Sequence, residues 1–183
     1  MQLRSLFALV VVGACIAAPV LAKRMDVTDP AAPRNLPAQG PVDVRWSDPA
    51  RFSEIRNSGN RNEARQGDWV VQLATYLRKQ AEKRLPADER LDVEITDIQR
   101  AGNYEPWRGI QFDRTRFVRD IYPPRIRLTF RRLDRSGAVV AEGERKLGDL
   151  AYTNGGSASS TDPLRYEKRL IDRWLARELP VQR

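Results

Sequence analysis

The sequence contains no histidine, and its single cysteine, Cys15, lies in an apolar segment near the first residue. Without histidine the chain cannot form a Ser-His-Asp or Cys-His catalytic group, a histidine general base or an imidazole metal site. The chemistry that remains to an enzyme uses paired carboxylates, an oxygen-only Ca²⁺ or Mg²⁺ site, or lysine and tyrosine side chains. None of these has a recognisable spacing, so the sequence indicates no catalytic, metal-binding or cofactor-binding residue and favours a non-enzymatic protein.

Lysine is also scarce, since only five of the 32 basic residues are lysine and the others are arginine. The chain carries a formal net charge of +8. A basic exported protein is attracted to anionic surfaces such as phospholipid headgroups, lipopolysaccharide and wall polymers. Codon composition explains the arginine preference equally well, so the charge alone assigns no partner. We expect no nucleic acid partner.

Charge is almost absent from the first 22 residues, where Arg4 precedes a long apolar run. This pattern is typical of a signal peptide, and small residues at the positions that signal peptidase recognises predict cleavage after Ala22. We expect residues 1–22 to be removed, leaving a periplasmic protein without a transmembrane segment. One alternative is a membrane anchor, although the run is near the lower length limit and contains Pro19. The other is a lipoprotein acylated at Cys15, although the residues that follow it are apolar.

The remaining chain divides into a short linker and one domain. Residues 23–41 contain four prolines among small and polar residues, which predicts a disordered Pro-rich tether. Residues 42–180 are long enough for one hydrophobic core and predict a single α+β domain.

Alternating and helical apolar periods predict the elements of this domain. Strands are expected at residues 42–46 and 91–98, and a hairpin after residue 124. Helices are expected at residues 62–85 and from Asp162 onward, after a flexible connection at residues 153–161. This order predicts an α+β fold in which two helices pack on one face of a mixed sheet of about four strands, the first two parallel.

Turn residues at 134–137 allow the register of the hairpin to be predicted. A four-residue loop pairs Leu133 with Ala138 and sets Arg127 opposite Glu144. The arginines of the first hairpin strand are therefore expected to have carboxylate partners on the second strand.

Several segments resemble a known family. The stretches "VRWSDPARFSEIR", "LDVEITDIQRAGNYEPWR", "VRDIYPPRIRLTFRRLD" and "DPLRYEKRLIDRWL" are similar, in order and spacing, to the proteobacterial family called domain of unknown function 3016. The resemblance covers nearly everything after Val42. It implies an exported, periplasmic, single-domain protein and supplies no activity, cofactor or catalytic residue.

Residues 103–125, which we call the central loop, fit neither a helical nor a strand period and hold five aromatic residues and five arginines. Because disordered segments are poor in aromatic residues, the loop is expected to be ordered. One interpretation is a packed cover, with Trp107 and Tyr122 against the domain. The other is a binding surface for an envelope protein or an anionic glycan or lipid. The candidate binding residues are Tyr104, Trp107, Arg108, Arg114, Arg116, Arg119 and Tyr122.

An alternative function is hydrolysis of an envelope polymer. In that hypothesis Glu105 acts with Asp113 or Asp120 as acid and base. It requires two carboxyl groups about 5–9.5 Å apart in a cleft, with the pKa of one of them raised.

Overall fold

The structure is a computed structural model that describes residues 25–154 and 161–179. The predicted signal peptide, the lipidation alternative at Cys15 and residues 155–160 of the predicted flexible connection lie outside the described residues.

Six strands and four α-helices form within the described residues. The strands are β1 (Val42–Trp46), β2 (Arg90–Gln99), β3 (Asn103–Tyr104), β4 (Arg116–Phe117), β5 (Arg125–Leu133) and β6 (Val139–Gly148). The helices are α1 (Ser53–Arg56), α2 (Arg61–Ala64), α3 (Trp69–Glu82) and α4 (Arg165–Glu178).

The main sheet has the strand order β1-β2-β5-β6, and β3 and β4 form a separate two-stranded ladder. Strands β1 and β2 are parallel, whereas β2 with β5 and β5 with β6 are antiparallel. Helix α3 contacts β1 and α4, and α4 contacts β5 and β6. The predicted α+β fold, with two long helices on a four-stranded mixed sheet and an ordered central loop, is confirmed.

The core lies between these two helices and one face of the sheet. In β1, β2 and β5 alternate residues are buried, so each strand contributes one apolar face. Leu73 and Leu77 of α3 are fully buried, as are Ile171 and Trp174 of α4. The ring of Trp174 meets that of Phe130 edge to face, with 5.8 Å between centroids. The apolar positions predicted for both helices therefore face the core.

The first long helix begins later than its apolar period predicts. Only residues 61–64 form a short helical turn before α3 starts at Trp69. Gly67 interrupts the two with φ of +89°, a left-handed conformation that glycine adopts without a steric penalty. The indole of Trp69 donates a hydrogen bond to the carbonyl of Ala64 (3.0 Å), which fixes the angle between the two helices.

The segment predicted as a disordered tether is ordered over its described part, residues 25–41, so that prediction is wrong. The backbone N–H of Leu36 donates to Val44 (2.9 Å), and that of Trp46 donates to Arg34 (2.8 Å). Both bonds satisfy the outer edge of β1, which would otherwise expose unpaired backbone groups. Val27 and Leu36 are buried. Hydrogen bonds to the edge of β1 and the burial of these two side chains hold the segment in place despite its four prolines.

The register of the β5–β6 hairpin differs from the prediction. Leu133 pairs with Val139 and Arg132 pairs with Ala141, so Val140 is an extra, bulged residue. The turn is held by Asp134, whose carboxylate accepts from the backbone N–H of Ala138 (3.0 Å). As a result Arg127 lies opposite Lys146, not Glu144. The predicted carboxylate partner of Arg127 is therefore wrong.

Candidate functional site: the central loop

The central loop is an ordered excursion between β2 and β5. Its first residues, Asn103–Tyr104, pair with Arg116–Phe117 as the β3–β4 ladder, and two 3-10 turns, Pro106–Arg108 and Ile110–Phe112, lie between these strands. Gly109 joins the turns with φ of +110°. The loop therefore presents its side chains from a fixed backbone.

A buried carboxylate anchors the inner end of the loop. Glu54, on α1, is only 4% exposed, and its two oxygens accept from both terminal nitrogens of Arg116 at 2.8 and 3.0 Å. Arg100 adds its guanidinium (2.9 Å) and its backbone N–H (2.9 Å) to the same carboxylate. This ion pair joins α1, the end of β2 and the central loop.

Arg116 is therefore largely buried, with 21% of its side chain exposed. Its guanidinium also donates to the backbone carbonyls of Arg100, Ala101 and Gly102 (3.1, 2.7 and 2.9 Å). Burial works to lower the pKa of Arg116, but the adjacent Glu54 carboxylate outweighs it and the pKa lies above its ordinary value. Arg116 consequently remains charged and serves the fold. Tyr104, against which it stacks at 5.4 Å, is buried too.

A second buried carboxylate, Glu105, organises the outer half of the loop. It is completely buried and forms ion pairs with Arg108 and, at 3.3 Å, with Arg119. The hydroxyl of Tyr122 donates to it at 3.2 Å, and burial together with this hydrogen bond raises the pKa of Tyr122. Three candidate binding residues therefore converge on one carboxylate.

Helix α4 is hydrogen-bonded to the backbone just before the loop. Glu167, which is fully buried, accepts a hydrogen bond from the backbone N–H of Ala101 (2.6 Å). Burial raises the pKa of this carboxyl above its ordinary value. The hydroxyl of Tyr152, in the segment before α4, donates to the carbonyl of Arg119 (2.6 Å). Both ends of the loop are thus tied to the domain.

The loop exposes large apolar side chains both in its two 3-10 turns and in the segment after β4. Ile110 is 86% exposed, Trp107 71% and Ile121 69%, and Phe112 and Val118 are also exposed. Trp107 was predicted to pack against the domain, and that prediction is wrong because its 3-10 turn directs it outward. Tyr122 is half-buried through its bond to Glu105. The loop thus packs against the domain through Glu105 and Arg116 and exposes five large apolar side chains, which we call its tip.

Six of the seven candidate residues divide into two groups, and the seventh, Tyr122, is half-buried. Tyr104 is buried and Arg116 is largely buried, so Tyr104 does not share an exposed aromatic surface with Trp107. Trp107, Arg108, Arg114 and Arg119 are accessible at the surface. Arg114 is the most exposed of these arginines and contacts Glu63 at 3.3 Å.

Sequence reasoning missed four members of the exposed surface and its main anchor. The missed apolar residues are Ile110, Phe112, Val118 and Ile121, and the missed anchor is Glu54. The sequence could have indicated these four apolar residues, because large apolar side chains in a segment without a helical or strand period have no predicted core face to occupy. Nothing in the sequence distinguishes Glu54 from the other carboxylates.

Among the described residues, no cluster of three or more Asp, Glu, Cys or His side chains could hold a metal ion. No helix in residues 25–154 or 161–179 has the length and apolar character needed to cross a bilayer.

Comparison with known proteins gives one match. The family described as Protein of unknown function (DUF3016) matches residues 40–177 of the chain. No curated protein and no solved structure matches it. The matched range includes β1, the central loop and nearly all of α4, and it confirms the resemblance found in the sequence. The chain therefore belongs to the DUF3016 family of proteins of unknown function.

Proposed function

We propose that this protein is an exported component of the cell envelope that binds a partner protein through the apolar tip of the central loop. The observation that carries the proposal is the exposure of Trp107, Ile110 and Ile121 on an ordered loop. Burying one large apolar side chain contributes about 1.5–3 kcal/mol. Three such residues in one loop are therefore enough to form the centre of a binding surface.

The charges around this apolar surface favour a partner with acidic groups. Arg108 and Arg119 share one carboxylate, Glu105, so the three side chains together carry a net positive charge. Both guanidinium groups are partly exposed beside the apolar residues. Arginine at the rim of an apolar centre is common in protein interfaces.

The acidic residues of the loop favour a protein over an anionic membrane. Asp120 is exposed and adjoins Ile121, and Asp113 adjoins Phe112. Insertion of these apolar side chains into an anionic bilayer would bring both carboxylates into the negatively charged headgroup layer, where they are repelled. A protein surface can place donors opposite them. The fixed backbone of the loop also suits a preorganised protein interface.

The hydrolase alternative has less support. An acid or base for glycoside hydrolysis must be free to exchange a proton with the substrate. Glu105 is completely buried and engaged by two arginines and a tyrosine hydroxyl. Asp120 is exposed on the surface. We therefore assign Glu105 to positioning the loop.

Export is supported by the N-terminal pattern, with Arg4 followed by an apolar run and a small residue at position 22. The proposed location is the periplasm, with the lipoprotein as the lesser alternative. Mass spectrometry of the purified protein gives the test. A chain that begins at Lys23 supports this location, and an acylated Cys15 contradicts it.

Retention of detergent-solubilised envelope proteins on the immobilised domain tests the binding proposal. The double variant Ile110→Ser and Ile121→Ser should lose a protein that the parent retains. The matched control is Val139→Ser with Val140→Ser, because these valines are also exposed but lie at the start of β6, opposite the end of β5 that is remote from the loop, about 26 Å along the strand. Equal retention by the loop variant and the parent would contradict the proposal. So would binding to anionic vesicles alone.

A further inference from the structure

A polar groove lies on the face of the sheet opposite to α3 and α4. It has a volume of about 410 Å³ and is bordered by the segment after β1, by α1 and by the middle of β2 and β5. Three arginines line it: Arg51, Arg56 and Arg127. The hydroxyl residues Ser47 and Thr96 complete its wall.

The three guanidinium groups of this groove have no counter-ion. Within residues 25–154 and 161–179, none of them forms an ion pair or a side-chain hydrogen bond. Arg127 lies opposite Lys146 on β6 and opposite Asp97 on β2, and the carboxylate of Asp97 is bonded to Ser53. All three arginines are exposed, and each guanidinium has five N–H donors that can reach a ligand.

The two carboxylates in the groove are already engaged elsewhere. Asp97 accepts from the backbone N–H (2.6 Å) and the hydroxyl (2.7 Å) of Ser53. Asp48 accepts from the backbone N–H of Ala50 (3.1 Å) and from Arg34 (3.3 Å). The groove therefore carries three guanidinium groups against two carboxylates, a net positive charge, and Asp48 is in addition paired with Arg34 from outside the groove.

We propose that this groove binds a phosphate ester. A phosphate group presents several acceptor oxygens and close to two negative charges, which matches converging arginine forks better than a single carboxylate does. Small-molecule sites occupy about 300–1,000 Å³, so a groove of about 410 Å³ fits a phosphate attached to a polar body, such as a phosphorylated sugar, better than a bare ion. Ser47 and Thr96 are placed to contact that body.

This site is separate from the proposed partner surface, so either proposal can fail alone. Glu54, which holds the inner part of the loop, does not line the groove, and Asp97 lines the groove but is bonded to Ser53. A ligand in the groove would leave Trp107 and Ile110 exposed.

Calorimetric titration of the purified protein tests the proposal. The four ligands are glucose 6-phosphate, inorganic phosphate, glucose, and vesicles that contain phosphatidic acid. Arg127→Gln should weaken binding of the phosphate ester about 10-fold or more, the loss expected for a charge-assisted hydrogen bond. The matched control is Arg125→Gln, which removes the same charge two residues away on the same exposed face but outside the groove. It should change affinity less than about threefold, because exposed charges are screened by salt.

The ligands separate two sources of the phosphate. Binding of glucose 6-phosphate that depends on Arg127 supports a soluble phosphate ester, and recruitment to phosphatidic acid vesicles that depends on Arg127 supports a lipid headgroup. The proposal is overturned if neither binds or if both arginine variants lose affinity equally. Binding of inorganic phosphate as tight as that of the ester would also overturn it.

Discussion

Arg116→Ala should destabilise the protein strongly, although the residue lies in a loop and is an arginine. The substitution leaves the buried carboxylate of Glu54 with Arg100 as its remaining cation, and it removes donors from three backbone carbonyls. Breaking a buried ion pair by removing one partner costs about 3–5 kcal/mol. Because Arg100 stays on Glu54, we expect the lower end, about 3 kcal/mol.

Thermal and urea unfolding measure this loss. For a domain of this size about 3 kcal/mol corresponds to a fall in Tm of about 6–12 °C. Arg114→Ala is the control, since Arg114 is 78% exposed and its contact with Glu63 is a surface ion pair worth about 0–1 kcal/mol. Arg116→Lys should fall between the two, because lysine keeps the charge but not the two-nitrogen contact. The reasoning would be refuted if Arg116→Ala melted within about 2 °C of the parent, because that shift corresponds to a loss of less than about 1 kcal/mol of stability.

Four further substitutions test the packing of the domain. Leu73→Ala and Trp174→Ala should each cost about 2–5 kcal/mol because both side chains are fully buried, and an unchanged urea midpoint would contradict this. Burial raises the pKa of the Glu167 carboxyl above its ordinary value of 4.5. Above that pH the folded state binds more protons than the unfolded state, so the contribution of Glu167 to the free energy of unfolding falls as pH rises. Glu167→Gln should therefore gain stability relative to the parent from about pH 4.5 upward, and a constant difference across pH would contradict it. Gly59→Ala would set a Cβ 2.1 Å from the carbonyl oxygen of Tyr104, so it should cost about 1–3 kcal/mol, measured by thermal melting.

Periodicity predicted the parts of the fold that depend on one face being apolar. The strands around Val44 and Val93 and the helices around Leu73 and Trp174 follow directly from spacing, because burial on one face imposes the period. The helix ends were less predictable: the break at Gly67 depends on a single backbone conformation that the apolar pattern does not encode.

Contacts between distant residues account for what the sequence did not predict. The order of residues 25–41 depends on the free edge of β1, and the register of the hairpin depends on one bulged residue, Val140. The central loop was identified from its composition, but Arg116 and Arg119 have the same sequence character. Only the position of Glu54 and Glu105 decides which arginine is buried and which is accessible.

Site-specific photo-crosslinking in intact cells tests the central claim most directly. A photoreactive residue in place of Ile110 should form an adduct with one envelope protein, because this side chain is 86% exposed at the tip of the loop. The same residue in place of Val140, exposed at the far end of the sheet, should form none. Absence of a protein adduct at position 110, or an identical adduct at both positions, would contradict the assignment of the central loop as the binding surface.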